Sequence, residues 1–166
     1  MKGFVAGTLL ACFAFANPVW ADDFEDGLHA AWGLDYVGAY EIWLPLAENG
    51  NTRAQYSIGE LFADRLLTYN DGEDRDYREA VRWFRMAAEA GSPQGQYHLG
   101  QMYHMGRGVM ADFVLAYMWA NIAYGNGLNA AAISRDNAAS FLDAAQIAEA
   151  QALARACVAA QYRDCD

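Results

Sequence analysis

Apolar residues fall three and four positions apart through much of this chain. Ala54, Ile58, Leu61 and Phe62 follow that spacing, and Leu99, Met102 and Tyr103 follow it again further on. The period places each set on one face of an α-helix. The two sets also belong to nearly the same phrase: Ala54-Gln-Tyr-Ser-Ile-Gly-Glu-Leu-Phe runs parallel to Gly95-Gln-Tyr-His-Leu-Gly-Gln-Met-Tyr. A second shared phrase follows each, Asp76-Tyr77-x-x-Ala80-x-x-Trp83-x-x-x-Ala87-x-x-x-Gly91 and Asp112-Phe113-x-x-Ala116-x-x-Trp119-x-x-x-Ala123-x-x-x-Gly127. Self-similarity at a period of a few tens of residues predicts stacked supersecondary units. The expected fold is all-α, an α-solenoid of antiparallel helix pairs.

Within each pair the small residues carry the packing argument. Gly59 and Gly100 sit at equivalent places, where the paired helix is expected to cross closest; a side chain there would push the backbones apart, and glycine otherwise costs a helix about 1 kcal/mol. Ala80 and Ala116, with Ala87 and Ala123, supply the same closeness from the second helix, while Trp83 and Trp119 fill the wider space between repeats. Asn49-Gly50-Asn51 and Gly91-Ser92-Pro93 divide the repeats, with Gly closing one helix, Ser92 capping the next and Pro93 at its first position. Gly106-Arg107-Gly108-Val109 turns the chain inside the third copy. In the second copy a longer, acidic connection replaces it, roughly Leu66 to Arg75, which carries a five-residue insertion.

The ends are less regular. A degenerate first copy runs from Phe24 to Trp32 and then through Asp35-Tyr36-x-x-Ala39, with Pro45 expected to kink its second helix or remove a hydrogen bond. After Gly127 one helix is predicted over about 129–141. Asp143-Ala-Ala-Gln146 then reads as a capping box opening a last helix to about Gln161. Leu142, Ile147, Ala150, Leu153, Ala154 and Cys157 give that helix an apolar face to cover the flank of the stack. The expected organisation is residues 1–21 as a signal peptide and 22–161 as the solenoid, then 162–166 as a tail. Inside the solenoid, 22–50 is the degenerate repeat, 51–91 the repeat with the insertion, 92–127 the most regular repeat and 128–161 the capping helices.

Composition changes the picture in three places. Met1-Lys2, an apolar run from Phe4 to Phe15 and the exit Val19-Trp20-Ala21 have the form of a secretory leader cut after Ala21, so a periplasmic or secreted location is expected. That run is too short for a membrane span, and Cys12 reads as an ordinary residue inside it. The formal net charge over 166 residues is −10, which should repel nucleic acid and anionic lipid. Cys157 and Cys165 remain beyond the leader, and their spacing suits a helix end bonded to its own tail, a staple worth about 2–3 kcal/mol.

The pattern Ala/Gly-x-Tyr-x-Leu-Gly-x-x-Tyr, then Gly-x-Gly-Val-x-x-Asp-x-x-x-Ala-x-x-Trp and Ala-x-x-x-Gly, fullest over 95–127, resembles the Sel-one-like repeat family, a relative of the tetratricopeptide repeat. The resemblance covers about 22–161, and the closing phrase at 145–154 is similar to the last helix of secreted or periplasmic bacterial members. The second copy departs from the pattern by lacking Gly-x-Gly-Val, the first by lacking the Leu-Gly pair. The resemblance implies a right-handed superhelix that holds protein or peptide segments along a concave face, often in envelope signalling. It also implies a rival, since some members have been linked to β-lactams or cell-wall fragments: an envelope hydrolase or a binder of such fragments.

The residues themselves offer little chemistry. His29, His98 and His104 are too scattered for a zinc helix, His98 and His104 falling on different sides of one helix. No nucleophile elbow, Ser-x-x-Lys pair or phosphate loop occurs. The acidic insertion lacks the ligand order of a calcium loop. No metal, cofactor or catalytic group is therefore expected, and the oligomeric state stays open. If the first helices line the groove, the outward positions are Arg53, Tyr56, Glu60 and Asp64, matched by Gln94, Tyr97, Gln101 and His104. Tyr56 and Tyr97 would form a two-rung aromatic ladder, and Glu60, Gln101 and His104 have no packing role in this reading. A third reading, a pH sensor, places His104 near Glu60.

Overall fold

The structure, a computed structural model, describes residues 22–64, 66–67 and 73–166, the side chains of 22 and 73–75 excepted. The expected leader, with Cys12, and residues 68–72 of the insertion lie outside the described residues. Among the described residues the chain forms eight α-helices and no strand. They are α1 (Asp22–Trp32), α2 (Tyr36–Glu48), α3 (Thr52–Ala63), α4 (Glu73–Glu89), α5 (Pro93–Met105), α6 (Phe113–Gly125), α7 (Ala131–Ala139) and α8 (Ala144–Ala159).

Local chemistry sets most of the boundaries. Asp35, Asn51, Ser92, Asp112 and Asp143 each accept a backbone N–H of the helix they precede, satisfying donors that the first turn leaves orphaned. Asp143 and Gln146 form the full capping box. Gly50, Gly91 and Gly127 follow helices at φ +89°, +84° and +96°, the left-handed conformation that lets the chain leave a helix sharply. Pro45 does not end α2, which continues to Glu48, and the proline itself is exposed.

Consecutive helices pack against one another from α1 to α7, and α3 touches α5 as α5 touches α7. The result is an α-solenoid in which α3, α5 and α7 share a layer. The core runs unbroken along the stack, with Trp83, Trp119, Phe84, Ile58, Leu99 and Met118 almost entirely buried. Each contributes about 1.5–3 kcal/mol through burial.

The helix crossings differ from copy to copy. Gly100 behaves as expected: a Cβ there would stand 3.2 Å from the Ala116 carbonyl oxygen and 3.3 Å from the Ala120 nitrogen of α6. Gly59 does not meet backbone. Its missing side chain seats the ring of Phe84, whose Cε1 would lie 2.5 Å from a Cβ at position 59. The cause is one substitution between copies, since Phe84 occupies the place that Ala120 holds in the next repeat. In the first hairpin Gly27 seats the ring of Trp43 in the same manner, which explains how a repeat without the Leu-Gly pair still closes. Between repeats α5 crosses α4 closely as well, since a Cβ on Gly95 would fall 2.6 Å from the Ala87 Cβ and 2.8 Å from the Ala88 nitrogen.

The structure corrects one boundary of the sequence reading and adds two features to it. α4 begins at Glu73, so residues 73–75 belong to the helix and not to the connection. Asp76 consequently lies inside α4, 4% exposed, whereas its counterpart Asp112 caps α6. α8 does not form a fourth hairpin with α7; it packs on α6, beside α7, which also packs on α6. With nine residues, α7 is too short to cover that flank alone.

Candidate functional site

The layer made by α3, α5 and α7 carries the residues expected to face a groove, and the repeat crossings place them. Gly95 brings α5 against α4, and Gly100 brings it against α6, so the opposite side of α5 is left to face outward. Two shallow depressions lie along this side. One, of about 160 Å³, is lined by Glu60, Asp64, His98, Gln101, Met105 and Arg107, among others. The second, of about 120 Å³, is lined by Gly100, Gln101, His104, Met105, Ser134 and Asn137 with Ala116. Gln101 and Met105 belong to both and form the ridge between them. At about 30 Å³ per water, each depression holds a few waters or one side chain of modest size.

Aromatic packing stiffens the first depression. His98 stacks on Phe84 at 4.8 Å between ring centres and on Tyr56 at 6.5 Å, and Tyr97 meets its edge at 5.1 Å. His98 Nε2 lies 3.4 Å from Glu60 Oε1. The Tyr97 hydroxyl accepts from Gln101 Nε2 at 2.7 Å, which fixes the ridge side chain. In the second depression His104 sets against the edges of Phe113 and Phe141, which stack on each other at 4.4 Å. Its Nδ1 has no hydrogen-bond partner among the described residues.

The eight expected groove residues therefore divide. Glu60, Asp64, Gln101 and His104 line the depressions. Tyr56 and Tyr97 do not make a two-rung ladder, because His98 lies between them and all three pack together; the ring at 98 replaces the small Ser57 of the preceding copy. Arg53 pairs with Glu25 at 3.3 Å and lies over the Phe24 ring at 4.1 Å, so it joins α3 to α1 instead of standing free. Gln94 is exposed on the first turn of α5 and lines neither depression. Nor does Glu60 sit with His104: its partner is His98, and His104 lies with Phe113 and Phe141. Both Glu60 and Gln101 thus have neighbours on the surface, contrary to the sequence reading.

His98, Met105, Arg107, Ser134 and Asn137 were not expected here. Ser134 and Asn137 stand three apart on α7, the spacing that puts two polar side chains on one helix face, but α7 carries no repeat phrase to bring it into register. The arrangement is suited to binding. Exposed Met105 and Phe141, 44% and 59% accessible, offer apolar contact, and amide, hydroxyl and imidazole groups beside them offer directed hydrogen bonds. Among the described residues no group of three or more His, Cys, Asp or Glu could hold a metal ion, and no helix is long and apolar enough to cross a membrane.

Comparisons with known proteins agree with the fold. The profile of the family described as Sel1 repeat matches residues 52–92 and 93–137, together just over half of the chain. Similarity extends to the chitin synthase regulator SKT5 of Saccharomyces cerevisiae, 38% identical over 61 residues, which are 37% of this chain and 9% of that protein. It extends also to HRD3B, a component of an ERAD-associated E3 ubiquitin-protein ligase in Arabidopsis thaliana, 31% identical over 78 residues, 47% of this chain and 12% of that one. The chain thus spans about a tenth of each of these relatives. Among solved structures it superimposes on c5321, a protective antigen of uropathogenic Escherichia coli with an SLR fold, with a TM-score of 0.75 at 24% identity, covering 86% of this chain and 30% of the other. A Sel1 repeat protein from Oxalobacter formigenes gives a TM-score of 0.58 at 26% identity over 80% of this chain and 56% of its own. With two consecutive repeats matched and the helical stack shared, the chain belongs to the Sel1 repeat family.

Proposed function

We propose that this chain is an exported, non-catalytic scaffold that holds a polypeptide segment along the face of α3, α5 and α7. The two depressions meeting at Gln101 and Met105 carry the reading: they present adjoining places for side chains of one extended segment. Sel1 repeat proteins are protein–protein interaction scaffolds, and the names of the two relatives described above are those of a chitin synthase regulator and a ubiquitin-ligase component, proteins that work with another protein. Export is supported by the leader-like residues 1–21 and by a disulfide between Cys157 and Cys165, a bond that persists in oxidising compartments. A place in envelope signalling or regulation follows the same line.

The test is quantitative affinity capture from the native envelope with wild-type chain, the Gln101→Ala/His104→Ala double variant and Arg82→Ala, a change at an exposed position of α4. The double variant should lose the wild-type partner at least tenfold while Arg82→Ala retains it. Equal capture by all three would remove the face from consideration.

A further inference from the structure

Beyond α8 the chain turns back as a strap, 161–166. Gln161, Tyr162 and Asp164 take φ of 56°, 63° and 51°, conformations disfavoured for residues with a Cβ, so the strap must be held by its contacts. It has three. Cys165 is bonded to Cys157, which is buried in the α8 interface. The Tyr162 ring lies over Gly91 at the end of α4, where a Cβ would come within 3.3 Å. Its hydroxyl meets Asn126, the cap of α6, which donates to it at 3.0 Å. Asp166 goes deepest, its side chain only 2% exposed.

The Asp166 carboxylate is received by two residues from different helices. Arg85 of α4 pairs with one oxygen, and the Tyr103 hydroxyl of α5 donates to the other. Arg85 Nη2 in turn donates to the Tyr103 oxygen at 2.9 Å, so the receptor is pre-assembled by its own hydrogen bond. The carboxylate turns inward from an otherwise exposed residue and is met there by both charge and a hydrogen-bond donor. Burial opposes the Arg85 charge, but Tyr103 and Asp166 outweigh it and hold its pKa above the ordinary value. Burial and the Asp166 contact push the Tyr103 hydroxyl up as well. Tyr103 lies on the side of α5 turned away from Gln101, so this site is separate from the proposed groove.

We propose that Arg85 and Tyr103 form a binding site for an acidic polypeptide segment, occupied by this chain's own Asp166 while Cys157–Cys165 is intact and opened to a partner segment when that disulfide is reduced. The strap displays the recognised pattern, an aromatic residue seated on Gly91 and an acid four residues later. Its departure also carries Asp164 and Asp166 away from Arg85, which leaves the site less negative and receptive to another acid. The disulfide keeps the acid at high effective concentration, and opening it lowers that concentration.

Opening requires a dithiol reductant. Its thiolate attacks the more accessible sulfur, that of Cys165, and forms a mixed disulfide while Cys157 leaves as a thiolate. The second thiol of the reductant then closes on the first and releases Cys165. Two electrons pass from the dithiol, which departs as a disulfide, and its two protons end on Cys157 and Cys165.

The test uses a fluorescent, amidated peptide with the sequence of residues 160–166 carrying Cys165→Ser, titrated by anisotropy into the full chain. Binding to the dithiothreitol-reduced chain and to the Cys165→Ser chain should be at least tenfold tighter than to the oxidised chain. It should fall at least tenfold with Arg85→Gln in the Cys165→Ser background, and with a peptide carrying Asp166→Asn. Tyr103→Phe, which removes only a hydroxyl, serves if Arg85→Gln does not fold by circular dichroism. Equal affinity for oxidised and reduced chains, or none for either, overturns the proposal, as does binding indifferent to both substitutions. N-acetylaspartate amide binding as tightly as the peptide would overturn the assignment to a polypeptide.

Discussion

Gln55 on α3 donates from Nε2 to the carbonyl oxygen of Ala47, in the last turn of α2, at 2.9 Å. One repeat later, Gln96 makes the same bond to Ala88, at 3.3 Å. Both glutamines are buried, 4% and 0% exposed, and each ties the first helix of a repeat to the end of the repeat before it. The difference lies in the other amide atom: Gln96 Oε1 accepts from Asn126 at 2.9 Å, whereas Gln55 Oε1 has no partner among the described residues.

Replacing these side chains should therefore not be equivalent. Gln96→Leu removes two bonds from a fully buried side chain, the Asn126 amide keeping its bond to the Tyr162 hydroxyl, for an expected cost of about 1–3 kcal/mol. Gln55→Leu removes one bond together with an unsatisfied oxygen, for about 1 kcal/mol or less. Urea denaturation of the two variants against wild type measures the difference, and equal losses would deny the asymmetry.

The Gly59–Phe84 seat predicts a coupled pair. Gly59→Ala alone drives a methyl into a buried ring and should cost about 1–3 kcal/mol. Phe84→Ala alone opens a cavity and should cost about 3–5 kcal/mol. Together they reproduce a small-on-small crossing, so the double variant should be more stable than the sum of the losses by at least about 1 kcal/mol. Gly95→Ala has no such rescue, because its neighbours are backbone and Ala87; helix propensity gains about 1 kcal/mol there, and overpacking should outweigh it.

The strap leaves a signature in pH. Burial, then Asp166 and Asp164, raise the Glu89 pKa above its ordinary value, against the pull of Arg85. A carboxyl raised on folding favours the native state while protonated, and that contribution is lost as pH climbs from the unfolded value, about 4.3, through the folded one. Glu89→Gln should accordingly raise Tm at pH 7, with the gain disappearing below about pH 4. A thermal scan at both pH values decides it; a lower Tm at pH 7 would mean that the attraction to Arg85 dominates.

How much of this was legible in the residues follows from the range over which each feature is determined. The helix pairs were, since Ala54–Phe62 and Gly95–Tyr103 carry their period locally and Ser92 and Asp143 mark their own helix starts. The Gly100 crossing was legible for the same reason. Gly59 was misread because its neighbour depends on which residue stands at 84, a comparison visible only once α4 and α6 are in register. Gln55 and Gln96 gave no sign of their role in the sequence, because their acceptors lie in another helix. The face residues Ser134 and Asn137 sit on a helix outside the repeat phrase. The receptor for Asp166 joins residues 81 and 63 positions apart in the chain, a distance at which no spacing rule operates.

The central claim, a solenoid that binds protein through the face of α5, is tested most directly by photocrosslinking in the native cell. A benzophenone amino acid placed at Gln101, and in a separate strain at Arg82, is irradiated and the adducts are resolved by size. The account predicts a discrete protein adduct from position 101 and none of that mass from position 82. Adducts of the same mass and yield from both positions, or from position 82 alone, would contradict it.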